Sequence, residues 1–162
     1  MDRREALKKL GAGSVAVVGT SLVISSPAFA FDAPSVTGAP NVFTLTTSGG
    51  KTADIVVDEF PPGSCPTSSI NSGDVPTQGT PTYSWSSPDG GSGTGVVVSR
   101  GGTGSWNILD TVVVVVTLEY ICEYAGAVAA QSYSWSRSFT VNSGTGGNAI
   151  WTPGIINGPT AA

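Results

Sequence analysis

Apolar and polar positions alternate with a period of two along much of the chain beyond residue 40. From Val112 to Cys122 one face reads Val112, Val114, Val116, Leu118, Tyr120, Cys122, and the other Val113, Val115, Thr117, Glu119, Ile121. A wholly apolar face, backed by one that turns mixed toward its end, is the pattern of a central strand covered on its far side at one end only. The run has about half the apolar length of a membrane helix. Left outside a sheet, its five consecutive valines would be prone to cross-β stacking. A second segment alternates as cleanly: Tyr133, Trp135, Arg137, Phe139 and Val141 share one face, and Ser132, Ser134, Ser136, Ser138 and Thr140 the other. That pattern fixes a strand register, because a one-residue slip would turn every ring to solvent.

Shorter alternating runs precede these. "NVFTLTT" (Asn41 to Thr47) and "TADIVVDEF" (Thr52 to Phe60) flank an "SGGK" turn and predict a hairpin. "TYSWSS" and "GVVVS" are further strands separated by "PDGGSGTG", and a short "SWNIL" leads into the valine run. The tetrapeptide "YSWS" occurs at Tyr83 and again at Tyr133, which reads as convergence on a half-buried strand rather than duplication. "PPGSCPTSSINSGDVPTQGTP" is a long polar loop, and Gly126 makes "ICEYAGAVAAQ" a turn rather than a helix. About seven strands between turns predict an all-β fold, a single antiparallel two-sheet sandwich over residues 41–142. Residues 31–40 form an N-terminal segment before it. The tail, residues 143–162, starts as a linker, but Ile150, Trp151, Ile155 and Ile156 predict that it packs back.

The ends change the picture. Arg3, Arg4, Lys8 and Lys9 precede an apolar, glycine-containing run that closes on Ala28-Phe29-Ala30. That order predicts a cleavable secretory signal over residues 1–30, since the run is short for a span and ends in an A-x-A site. Arg3-Arg4 followed by "EALKK" resembles a twin-arginine translocation signal, although Ala6 stands where that family has a bulky apolar residue. The resemblance implies export of a folded chain with its thiols still reduced, to the periplasm, the cell surface or the medium.

After cleavage Lys51, Arg100 and Arg137 face nine acids, a net charge of −6. A chain so poor in basic residues has no surface for phosphates, which argues against nucleic acid and anionic membranes as partners. It contains no histidine, so imidazole-based triads, zinc sites and pH switches are excluded. Cys65 and Cys122 predict one disulfide in a secreted chain.

Tyr120-x-Cys122 at the end of the valine strand resembles the immunoglobulin-like superfamily, and "YSW" before a Gly/Asp-rich turn resembles its polycystic-kidney-disease type of module. The resemblance covers roughly Asn41 to Asn142. It implies that the Tyr120 hydroxyl bonds back to the chain at a corner, that Cys122 bridges to an earlier strand, and that Trp85 is the buried tryptophan beside it. Two residues depart from the pattern: Cys65 lies in a proline-flanked loop, and Val116 stands where an aspartate usually precedes the tyrosine. The bridge is then expected to tie a loop to the sheet.

Candidate chemistry is sparse. A serine nucleophile would need Lys51 as base, and that lysine sits in a hairpin turn. Asp54, Asp58 and Glu59 lack a facing segment to frame a cleft. Asp74 and Asp89 are turn aspartates without the convergent oxygens a calcium site needs. No enzyme, metal or cofactor is expected. For carbohydrate stacking, Trp85 and Trp135 are expected in the core, whereas Trp106 and Trp151, near loop and tail, are the better candidates for an exposed ligand contact. Arg137, alone among rings, is expected to pair with an acid such as Glu119 or Glu123, or to sit at the rim. These readings converge on a secreted or surface module of adhesive, structural or ligand-binding role, its partner a protein or a glycan. A self-assembling fibre or surface-layer subunit and a carbohydrate-binding module are the alternatives.

Overall fold

The alternation along the chain resolves into nine strands in the computed structural model, which describes residues 32–66 and 75–162. The expected leader and Asp74 lie outside the described residues. In order the strands are β1 (Val42–Thr47), β2 (Thr52–Asp58), β3 (Thr77–Gln78), β4 (Thr82–Ser87), β5 (Gly91–Thr94), β6 (Val97–Ser99), β7 (Thr111–Tyr124), β8 (Ala127–Ser143) and β9 (Ile150–Ala161). They form two antiparallel sheets. One has the order β1-β2-β6, and the other β5-β4-β7-β8-β9 with β3 also paired to β7.

The valine run is the centre of the larger sheet. Every residue of its first face is buried, from Val112 to Cys122 and on to Tyr124. A two-residue turn, Ala125-Gly126 with Gly126 at φ +81°, joins β7 to β8, and the hairpin stays in one register from Thr111↔Thr140 to Tyr124↔Ala127. A positive φ suits glycine, which has no Cβ to clash. Phe43 and Leu45 of β1, Ala53, Ile55 and Val57 of β2 and Val98 of β6 meet the inner row of β7 and Trp135, Phe139 and Val141 of β8 to form the core.

Three of the nine strands, β3, β5 and β9, are not among the expected ones. "PDGGSGTG" is not a plain connection: after one 3-10 turn at Pro88–Gly90 it supplies β5, paired with β4. β3 and β4 lie along the same side of β7, with Gln78↔Tyr120 and Thr82↔Thr117 as the nearest pairs of the two ladders. The interruption falls at Gly79-Thr80-Pro81, where proline cannot donate to a ladder.

The tail packs back, as expected, after a short connection. It is β9, running beside β8 from Ser143↔Ile150 to Tyr133↔Ala161 with three register shifts. Pro153, Gly154, Gly158 and Pro159 supply the irregularity of an edge strand that resists pairing with another chain. Residues before 41 are also part of the body: Pro34 and Val36 are buried, the Tyr133 hydroxyl donates to Pro34 O at 2.7 Å, and Trp135 Nε1 to Gly38 O at 2.9 Å. The sandwich therefore extends from Ala33 to Ala162 rather than over residues 41–142.

Candidate functional site

The cysteines form the disulfide, with Cα atoms 5.7 Å apart and 57 residues between them in sequence. Cys122 points inward from β7, while Cys65 belongs to the connection from β2 to β3. The bridge ties a loop to the sheet. Beside it, the Tyr120 hydroxyl donates to Pro61 O at 2.7 Å, and Gln78 Nε2 to the same carbonyl at 3.0 Å. The tyrosine thus bonds back to the segment that leaves β2, 59 residues upstream in sequence. Burial pushes its phenol up to about 12. Its ring meets Tyr133 edge-on, with centroids 5.9 Å apart.

Of the tryptophans, Trp135 is fully buried, but Trp85 is only half-buried. Its ring lies over Gly93 of β5, where a Cβ would come within 2.6 Å of it, and its Nε1 is enclosed without a hydrogen-bond partner. Trp85 packs against the margin of the main core, opposite Val114 on the inner face of the sheet. Trp106, expected at a surface, is 0% exposed. Although it lies outside every strand, its ring tucks beneath the β1–β2 turn and its Nε1 donates to Thr52 O at 3.0 Å. Trp151 stacks edge-on against it at 4.9 Å and donates to Thr47 Oγ1 at 2.9 Å. These two rings join the tail to the smaller sheet, and they offer no pair of planar faces to a ligand.

Arg137 does not pair with Glu119 or Glu123. It stands opposite Val114 on the inner face of the larger sheet, whereas those acids alternate outward on β7. Its guanidinium instead reaches the side seam of the sandwich, donating to Gly154 O at 2.6 Å and to Phe43 O at 2.7 Å. It links the edges of β9 and β1. The buried cation is Arg100, which donates to Asp110 at 2.8 Å and to Asp89 at 2.5 Å. Burial works against the Asp110 charge, but hydrogen bonds from Arg100 and the Asn107 amide outweigh it and hold the carboxyl below its ordinary value. Asp89 is thereby a structural partner. Lys51 Nζ donates to Gly102 O. No group of three His, Cys, Asp or Glu gathers among the described residues, and no described helix is long and apolar enough to cross a membrane.

What remains open is the outer face of the larger sheet. The registers align its side chains in rows across the strands. Thr82, Thr117, Ser134 and Thr160 form one, and Ser84, Val115, Ser136 and Asn157 the next. Beyond them lie Ser86, Val113 and Ser138, then Thr111, Thr140 and Thr152. Cross-strand hydrogen bonds organise the hydroxyls, Thr117 Oγ1 to Ser134 Oγ at 2.7 Å and Thr111 Oγ1 to Thr140 Oγ1 at 3.2 Å. At one margin β5 ends at Thr94 opposite Ser84, and Thr82 and Tyr83 of β4 extend past its ladder. A cavity of about 570 Å³ opens there, lined by Pro81, Thr82, Tyr83, Ser84, Thr94, Gly95 and Thr117.

Sequence reasoning found the serine faces one strand at a time but not the rows. The rows depend on register between strands distant in sequence, and on a ninth strand. The alternation of serine with rings in both "YSWS" copies was the available signal. No protein-family model matches the chain, and neither the curated proteins nor the solved structures give a match to it.

Proposed function

We propose that this chain is an exported, non-enzymatic immunoglobulin-like module that binds a ligand through the exposed face of its larger sheet. The observation that carries the reading is that face itself, with ordered rows of hydroxyl and valine side chains and Glu119 and Glu123 only toward one end. Exposed polar order that the core does not need is an expected feature of a binding surface. The immunoglobulin-like assignment is supported by the strand order, β1-β2-β6 opposite β5-β4-β7-β8, with a cysteine and the tyrosine two residues before it on β7. Non-catalysis is supported by the placement of the few charged groups: Arg100, Asp89 and Asp110 hold one another, and Lys51 caps a turn. The disulfide suits an oxidising compartment.

The fibre reading gains less support. Its donor candidates, the segment before β1 and the C-terminal residues, are both engaged within the same chain. Light scattering after size exclusion checks this: the module is monomeric at every concentration, and growth into large species would restore the fibre. Export is tested by expressing the full chain in bacteria with and without a working twin-arginine translocase. The shortened, disulfide-bonded product is expected outside the cytoplasm only when the translocase works. A full-length product retained inside both strains would sink the exported reading.

A further inference from the structure

We infer that the cavity at the β4–β5 step and the hydroxyl row leading from it form a binding site for an extended, neutral polysaccharide. The inference rests on the ligand-binding reading above and names its site and ligand class. Three observations on separate features point the same way.

The first is the lining. Thr82, Ser84, Thr94 and Thr117 bring hydroxyls to the cavity and Pro81 an apolar wall, and no ionised residue is among those that line it. Hydroxyls donate and accept alike, so they match a sugar hydroxyl in either sense. A neutral lining offers nothing to hold a charged ligand in place. The second is size. At about 570 Å³ the cavity lies within the range of small-molecule sites, enough for a sugar ring or two. Its opening is made by the end of β5 rather than by a mobile segment, so it is already formed.

The third is direction. Thr82 and Thr117 line the cavity and also begin the row that continues through Ser134 to Thr160. Neighbouring strands are spaced by about 4.8 Å, so the row repeats a hydroxyl-bearing residue once per strand, with the Thr117 and Ser134 hydroxyls drawn together to 2.7 Å. The strand spacing is comparable to the advance per residue of an extended pyranose chain. A polysaccharide lying across the strands would meet one hydroxyl-bearing residue per strand, the Thr117–Ser134 pair acting together, with Val115 in the adjacent row for the apolar face of a ring. Among the described residues of this face, Glu119 lies two residues along β7 from Thr117, and its charge disfavours a polyanion.

The test measures binding of the disulfide-intact protein to neutral polysaccharides (β-glucan, xylan, mannan) by affinity electrophoresis and calorimetry, with heparin as the charged control. Thr82→Val, Thr117→Val and Ser134→Ala remove hydroxyls at nearly constant shape, and the melting temperature of each variant shows that it folds. The expected result is binding to at least one neutral polymer, none to heparin, and a rise in Kd of about tenfold in the triple variant. Binding that the triple variant leaves unchanged would overturn this site while keeping the ligand-binding reading. No binding to any neutral polysaccharide would overturn the inference, and the outer-face module would then be tested against protein ligands. Heparin binding as tight as that of the neutral polymers would overturn the ligand class.

Discussion

Single side chains carry several of the fold's constraints. Tyr120→Phe removes the donor to Pro61 O and is expected to cost about 1–2 kcal/mol, read as a lower urea midpoint at unchanged slope. The same phenol makes stability fall at high pH. Its folded-state value, about 12, lies above the ordinary value of 10.0, so its contribution is complete below pH 10 and is lost as pH rises toward 12. Alkaline unfolding followed by tyrosinate absorbance checks this; a flat profile through that window would exclude it. Asp110 acts at the other end of the scale. Its lowered value stabilises the fold above the ordinary aspartate range, and that stability disappears as pH falls through the folded value. Asp110→Asn should flatten the acid limb of the stability profile. Gly93→Ala would drive a methyl into the Trp85 ring, with an expected cost of about 1–3 kcal/mol and altered Trp fluorescence. Trp106 shows why some residues resist reading from sequence. Nothing in "SWNIL" marks burial, because the burial comes from the β1–β2 turn crossing over it, a contact between segments some 50 residues apart.

At the scale of elements, legibility tracks the length of uninterrupted alternation. β7 and β8 were readable because one face of β7 is apolar throughout and rings alternate with serines on β8. β9 was hidden by two prolines and two glycines, and β5 by its lack of any apolar residue. Their strand character comes from the neighbour they pair with, not from composition. A chain ending at Ser143 would lose Trp151 from the face of Trp106 and leave the β8 edge unpaired. It is expected to bind hydrophobic dyes and to aggregate, whereas a soluble, cooperatively unfolding product would show that β9 is dispensable. The disulfide behaves differently. Cys65, Cys122 and Tyr124 form a small cluster apart from the main core. The double variant Cys65→Ser, Cys122→Ser should therefore keep its near-ultraviolet dichroism while losing up to ~4 kcal/mol, the chain-entropy value for this loop. Such a variant would also show that the sandwich can stand before oxidation, as a folded export route requires.

For the molecule as a whole, the β7–β8 hairpin has a consequence for the order of assembly. It is the longest ladder in the fold, its strands are joined by two residues, and it carries much of the core's inner surface. Local pairing closes a small loop and pays little entropy, whereas β6 and the β1–β2 hairpin must be brought onto it across the chain. The hairpin is thus the natural nucleus of folding, and the two kinds of element should separate in kinetics. Gly126→Ala strains the turn at φ +81° and should slow refolding several-fold with little change in unfolding. Phe43→Leu, in β1, should mainly speed unfolding. Stopped-flow chevrons distinguish the two arms. The valine ladder that nucleates the native state is also the segment most able to stack with a second chain before β1 and β2 cover it, so the same residues set both the speed of folding and its hazard.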